Sequence, residues 1–584
     1  MKNIFSGILK GIANSLKRFP LTIGTSTTCV IIIIYMMEIT SQSNSDFIET
    51  LGRITLAIAL GIPLSLSVKL LFERLDKYKM VSLYASYIGG AVLLIIYYYL
   101  FLRDVEMVSM TRYIGFSLIL YLVFLFISYL PKRDDFEYYV IRVFTRFFTT
   151  VLYSLVLYLG LVAILFTIDQ LLGINIKGEL YYYTFLVVAG IFAPSFFLAG
   201  IPLKDEVLTL NDYSRLLNVL VLYIIMPLIF VYTIILYIYF AKIIITRQWP
   251  EGLVSHLVLW YSAISAAVLF FITPLLGEKI WPRNYMKYFP KAILPLIVMM
   301  FISIGIRISA YGVTENRYFV VALGIWVFLI MIYFSITKKL TNIILPISLT
   351  VITAISVFGP LSSYSISKYS QNKRLNKIFV KNNMILDNKI IKAKGEVTDE
   401  DAKNITSIIN YFDRNHSLND VKGLSRDFRT TDMEKSLGVK YSEENYQNDY
   451  EYFYFNSIGS SEPIDISGYD YLFYSRNNGQ QTAESTALVM NFDNESSTLK
   501  ITKDKNEIYK RDLMDFANKL IEKYGNNQNN EKDQSLSVEE MSFEDENDKV
   551  KIQIQFLNLS GNMNTSRDEM DSKNFEFYVV VKMK

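Results

Sequence analysis

The chain has 584 residues, 52% of them hydrophobic and 15% aromatic, and a mean hydropathy of +0.28, which excludes an ordinary soluble domain. Its 58 basic and 55 acidic residues are unevenly divided: 28 against 18 in residues 1–365 and 30 against 37 in 366–584, so the two regions carry +10 and −7 and face different solvents. One cysteine, Cys29, and two histidines, His256 and His416, exclude a disulfide framework, a zinc site and most histidine-based catalysis, leaving carboxylates, Arg, Lys, Tyr and Ser for any chemistry.

In chain order, Ile4, Ile8, Ile12 and Leu16 recur every four residues among lysines, which predicts a cytoplasmic amphipathic segment over residues 1–18 on the inner membrane surface. The run "FPLTIGTSTTCVIIIIYMM" has the length of a span and no small-residue cleavage pattern after it, so it reads as an uncleaved first span. Runs of about 20 apolar residues predict about eleven spans, at 19–39, 52–72, 81–102, 113–130, 147–168, 180–201, 216–245, 253–276, 290–310, 316–336 and 342–364. Within 216–245, Pro227 removes a backbone donor and predicts a kink. Together these make an α-helical polytopic membrane bundle over residues 19–365. With the N-terminus inside, the inner connections hold 19 basic residues against 8 in the outer ones, the asymmetry expected of a cytoplasmic N-terminus. An odd number of spans then carries the rest of the chain across.

Beyond the bundle, "YSISKYSQNKRLNKIF" predicts a continuation of the last helix, within a helical connector over 366–394. Residues 395–584 read as an extracytoplasmic α+β domain. One helix is predicted from about Thr398, and a second in "NEIYKRDLMDFANKLIEKYG" with Leu513, Phe516, Ala517, Leu520, Ile521 and Tyr524 on one face and Gly525 as its stop. Strands are predicted in "YEYFYFN", "YDYLFYS", "TALVMNF", "TLKIT", "VKIQIQFLNL" and "FEFYVVVKM", and a flexible loop in "NNQNNEKDQ".

Six motifs in order carry a family resemblance: "FLAGIP" (197–202), "YIIMPLIFVYTIILYIYFAKI" (223–243), "WPEGLVSHLVL" (249–259), "LPLIVMMFISIGIRISAYGVTENRY" (294–318), "GPLSSYSISKYSQNKRL" (359–375) and "DISGYDY" (465–471). The chain resembles the bacterial membrane family called domain of unknown function 4153 over residues 180–475. The resemblance implies a polytopic core with an outer C-terminal domain, and no activity.

The polar dozen "RISAYGVTENRY" interrupts the apolar pattern between spans nine and ten. Gly312 suits a sharp reversal, Thr314 a helix cap, and Glu315 the first helical turn, where the dipole favours a negative charge. Arg307 lies about one turn inside the edge and needs a partner, such as Glu315. A second outer turn, "KIIITRQWPEGLVSHLV", supplies further polar groups. If the turns adjoin, Arg247, Trp249, Glu251, His256, Arg307, Tyr311, Glu315 and Arg317 form an outer-interface cluster suited to a lipid head group or anionic amphiphile, against the plainer reading of interfacial anchors.

The span centres carry no ionisable residue, with Lys69 close enough to the inner edge to snorkel, which argues against proton-coupled pumps and voltage sensors. No P-loop, GxSxG or HExxH pattern occurs, so no catalytic residue, cofactor or metal is expected. The expected role is that of a non-enzymatic envelope protein that senses, binds or scaffolds through its extracytoplasmic domain. Its partners would be membrane lipids and an envelope component or second membrane protein, with no nucleic acid. The alternatives are a lipid or amphiphile translocator and an outer-face envelope transferase.

Overall fold

The computed structural model describes residues 2–39, 45–75, 80–130, 135–172, 174, 176–203, 206, 208–209, 213–247, 253–277, 279–386, 389–425, 427–439, 450–458, 464, 466–475, 481–483, 488–494, 496–524, 533–564 and 569–584. It divides into two compact units, Met1–Ser442 and Glu443–Lys584.

The first unit opens with helix α1 (Lys2–Arg18), followed by ten helices long and apolar enough to cross a membrane among the described residues. They are α2 (Pro20–Ile39), α3 (Ser45–Arg74), α4 (Met80–Phe101), α5 (Met107–Phe126), α6 (Phe136–Leu172), α7 (Gly178–Leu198), α8 (Arg215–Thr246), α9 (Leu253–Ile272), α10 (Ile280–Tyr311) and α11 (Glu315–Ile336). Lipid offers no hydrogen bonds to a backbone, and a helix satisfies its own. More than half of the apolar window of α9 is buried, against 6% for α6, so α9 is central and α6 peripheral. In α8 the backbone widens into a π-turn over Leu220–Ile225 directly before Pro227, which is how this helix accommodates the proline. Polar side chains in the interior bond to one another, as Thr22 does with Ser65 at 2.9 Å and Thr233 with Tyr261 at 2.5 Å.

The eleventh expected span is not among these ten helices. Helix α12 (Ile344–Val357) has 14 residues, so it rises only about 21 Å, short of a hydrocarbon core of about 30 Å. It nevertheless runs back along α11: Thr341 N–H donates to Tyr333 OH, Trp326 Nε1 to Ser348 Oγ and Tyr318 OH to Leu361 O, at 2.5, 3.0 and 2.5 Å. The short helix and its flanks therefore return the chain to the end of the bundle that holds Gly312.

Helix α13 (Ser363–Lys381) is separate from α12 and does not continue it, because Gly359 adopts φ +79° and Pro360 follows. With α14 (Asp399–Asn415), α15 (Met433–Leu437) and the small hairpin β1 (Ile385–Leu386) and β2 (Lys389–Ile390), it forms a compact layer around Leu375, Phe379, Ile405, Ile409, Phe412 and Met433. Helix α14 begins where expected, and Thr398 caps it, its hydroxyl accepting from Asp401 N–H at 3.3 Å. Near the opposite ends of these two helices, Asp401 meets Lys381 at 2.8 Å and Asn382 at 3.0 Å.

The second unit contains β3 (Tyr450–Ser457), β4 (Tyr471–Tyr474), β5 (Gln481–Ala483), β6 (Leu488–Asp493), β7 (Thr498–Lys503), β8 (Asn506–Asp512), α16 (Met514–Tyr524), β9 (Asp533–Leu536), β10 (Ser542–Glu546), β11 (Val550–Asn564) and β12 (Glu569–Met583). One sheet has the order β4-β12-β11-β3-β9, with β10 also pairing β11, and the other has the order β5-β6-β7-β8. Alternating residues such as Phe453 and Phe455, or Ile552, Ile554 and Phe556, supply the core. All six expected strands form. The second expected helix begins later than the sequence suggests: Asn506–Asp512 is a strand paired with β7, and the helix starts only where the Asp512 carboxylate accepts from Met514 N–H at 2.9 Å. Its apolar face, Leu513, Ala517 and Leu520, is buried as expected, whereas Gly525 and most of the expected loop at 526–534 lie outside the described residues.

Candidate functional site

The Gly312 end of the bundle brings two of the sequence motifs together. Helix α10 stops at Tyr311 because Gly312 adopts φ +73° and ψ 178°, a conformation open to glycine and resisted by other residues. A Cβ at position 312 would come within 3.0 Å of Gln371 Nε2 and 3.2 Å of Ser370 Oγ, so the glycine also allows α13 to approach. Ser370 Oγ accepts from Val313 N–H at 2.9 Å, and Gln371 Nε2 donates to the carbonyls of Tyr311 and Val313 at 3.1 and 3.0 Å. Arg317 folds back on the turn, donating to Gly312 O at 2.8 Å with its guanidinium 5.5 Å from the Tyr311 ring.

Glu315, the first residue of α11, is the buried centre of this junction, 7% exposed. Its Oε1 accepts from Ser367 Oγ of α13 at 2.5 Å, Tyr411 OH of α14 at 2.7 Å and Nε2 of His416, the residue that ends α14, at 2.7 Å. Tyr411 OH and His416 Nε2 lie 2.9 Å apart and close the triangle. A buried carboxylate without partners costs several kcal/mol. Here three donors and the N-terminal dipole of α11 offset that cost. An ionised carboxylate only accepts, so facing Glu315 the Nε2 of His416 is the ring nitrogen that donates. Burial first, and then the Glu315 charge, push the Tyr411 hydroxyl well above its ordinary pKa, so it stays a neutral donor. The result is an anion held at one point by three side chains from two separate segments of the chain.

The expected residues divide accordingly. Glu315, Arg317 and Tyr311 belong to this junction. Arg307 is not the partner of Glu315, because Ser367, Tyr411 and His416 occupy the carboxylate. Thr314 has the extended backbone of a cap, φ −119°, but its hydroxyl makes no capping bond. Arg247 ends α8 at φ +55° and is exposed, while His256 and Arg307 are half-buried. Ser255 Oγ lies 3.4 Å from Ser303 Oγ, which sets the start of α9 beside the last turns of α10. Among the described residues no ion pair involves Arg247, His256 or Arg307. Trp249 and Glu251 lie outside the described residues. Sequence reasoning missed His416, whose one local signal is a rare histidine directly after the apolar face of an amphipathic helix.

At the opposite end of the bundle, Arg18 lies against a third motif, "FLAGIP". It donates to the carbonyls of Ile201 and Pro202 at 2.8 and 3.0 Å and holds Glu73 in a two-point pair at 3.1 and 2.8 Å. Arg146 donates to Phe196 O at 2.6 Å and covers Gly200, where a Cβ would meet Arg146 Nε at 2.2 Å.

Ten apolar spans followed by a β-rich unit define a multi-pass membrane protein. The chain belongs to the family described as domain of unknown function (DUF4153), which matches residues 27–390. It is also similar to the uncharacterised protein PM1469 of Pasteurella multocida (strain Pm70), at 24% identity over 393 residues, 67% of this chain and 64% of that relative. The chain thus spans less than two-thirds of that relative's length. No solved structure matches. The matched region contains the Gly312 turn, Glu315 and Ser367, whereas Tyr411 and His416 lie beyond it.

Proposed function

We propose that this is a non-enzymatic protein of the bacterial cell envelope, one that senses, binds or scaffolds an envelope component through its C-terminal region while the span bundle anchors and follows it. The observation that carries this reading is Glu315. A charge at the first turn of a span is bound to groups on two helices of the emergent layer, so movement of α14 is felt at α11. Packed interfaces of this kind switch between discrete arrangements more readily than they deform.

The orientation in this proposal places the Arg18 end in the cytoplasm and the Gly312 end outside, supported by the excess of basic residues in the connections at the Arg18 end. A cysteine at exposed Asn316, introduced after Cys29→Ser, reacts with an impermeant thiol reagent in whole cells under this orientation; labelling only after lysis reverses it.

Coupling is tested in the full-length protein by amide hydrogen exchange. Glu315→Gln is expected to speed exchange across residues 399–416 and the first turns of α11 together. Faster exchange in one segment alone would reduce the junction to local packing.

A further inference from the structure

Close to the Glu315 junction lies a second polar group that the coupling reading does not use. Arg112, five residues into α5, has its guanidinium carbon 4.9 Å from the Tyr364 ring centroid and 5.7 Å from that of Phe101. Its Nε is buried and makes no hydrogen bond, and among the described residues no acid pairs with it. Of the hydroxyls around it, Tyr97 OH of α4 is likewise buried without a partner, and Ser363 Oγ and Tyr364 OH of α13 are buried with only each other and Thr111 at hand. Tyr97 and Tyr364 are 5% and 2% exposed, and Tyr97 lies within electrostatic reach of both Arg112 and Tyr364. Glu315 forms no ion pair with Arg112; its Oε1 is taken up by Ser367, Tyr411 and His416.

An unpaired cation costs free energy about 7 Å inside the start of a span, and buried hydroxyls without acceptors add to that cost. Oxygen acceptors from an anion would satisfy all four groups at once. Close in sequence to these residues, Leu100, Ile114 and Leu361 are strongly exposed apolar side chains. The geometry points to a binding site for the phosphate of an anionic phospholipid, with Arg112 as the charged contact, the hydroxyls of Tyr97, Ser363 and Tyr364 as neutral donors, and the acyl chains along α4 and α5. This site goes beyond the coupling role and stands whether or not that role holds.

The test is native mass spectrometry of the full-length protein in detergent, titrated with phosphatidylglycerol, phosphatidylcholine or soluble glycerol phosphate. Phosphatidylglycerol should be retained more strongly than phosphatidylcholine, and Arg112→Gln should weaken its retention by roughly tenfold, the loss of one charged phosphate contact. Tyr364→Phe, which keeps the ring under Arg112, should weaken it by a few-fold and serves if Arg112→Gln does not fold. Equal retention of the two lipids, or unchanged retention in Arg112→Gln or in Tyr364→Phe, overturns the site. Competition by glycerol phosphate at concentrations equal to the lipid's overturns the lipid assignment in favour of a free phosphate.

Discussion

The two ends of the span bundle solve the same problem, a carboxylate near a membrane boundary, in different ways. At one end Glu73 takes a two-point pair with Arg18, both side chains remain about one-fifth exposed, and two backbone carbonyls accept from two further guanidinium N–H groups. At the other end Glu315 is almost fully enclosed and has no permanent cation, only a serine, a tyrosine and a histidine. The first arrangement is a direct fastening between two helices. The second depends on three segments arriving together, so it registers their relative position. A buried, many-partnered carboxylate is more costly to disturb than a half-exposed pair.

Substitutions at the two ends sharpen this contrast. The largest effect is expected for Glu315→Ala, which leaves three buried donors facing each other. A loss of roughly 3–5 kcal/mol, read by denaturant or thermal unfolding in detergent, matches the breaking of a buried charge network. A loss below that of Arg18→Ala would contradict the comparison. Next is Arg18→Ala, expected to cost roughly 2 kcal/mol because the pair is partly solvated. Gly312→Ala should fall in the range of about 1–3 kcal/mol, since alanine resists φ +73° with ψ 178° and its Cβ crowds Gln371. A stabilising Gly312→Ala would show that the turn relaxes away from α13.

The smallest effect is a pH dependence at the Lys381 end of α13. Burial alone would raise the pKa of Asp401, but the bonds from Lys381 and Asn382 outweigh it and hold the carboxyl below its ordinary value. With the folded value depressed, its stabilisation is complete above the unfolded pKa of about 3.9 and is lost as pH falls through the folded value. Unfolding followed from pH 6 downwards should show an acid-side loss that Asp401→Asn removes. An unchanged acid limb in that variant would mean that the carboxylate is not held in this way.

Much of this protein could be read locally. Span length follows from apolar runs because lipid demands a closed hydrogen-bonding backbone, and each expected strand follows from alternation over a few residues. The start of α14 near Thr398 was readable because the capping partner, Asp401 N–H, is only three residues away. The errors fall where a local signal competes with a distant one. "NEIYKRD" shares a helical spacing with the residues C-terminal to it, yet the ladder with β7 claims it as a strand. Likewise "ILPISLTVITAISV" reads as part of a full span, but Gly359 and Pro360 end the regular helix short, and contacts with α11 guide the remainder.

The candidate site shows the same division. The sequence alone determined that Gly312 is a reversal and that Glu315 opens a helix at a membrane edge, because backbone conformation and helix dipole act over one or two residues. It also determined that the chain is a membrane bundle followed by strands, through composition and period. Only the tertiary structure decided that Glu315 belongs to His416, 101 residues away, and not to Arg307, which lies on the adjoining helix. A buried charge takes the partners that packing presents to it, and those partners come from helices α13 and α14, whose positions are set by a hydrophobic core that no local pattern around Glu315 records.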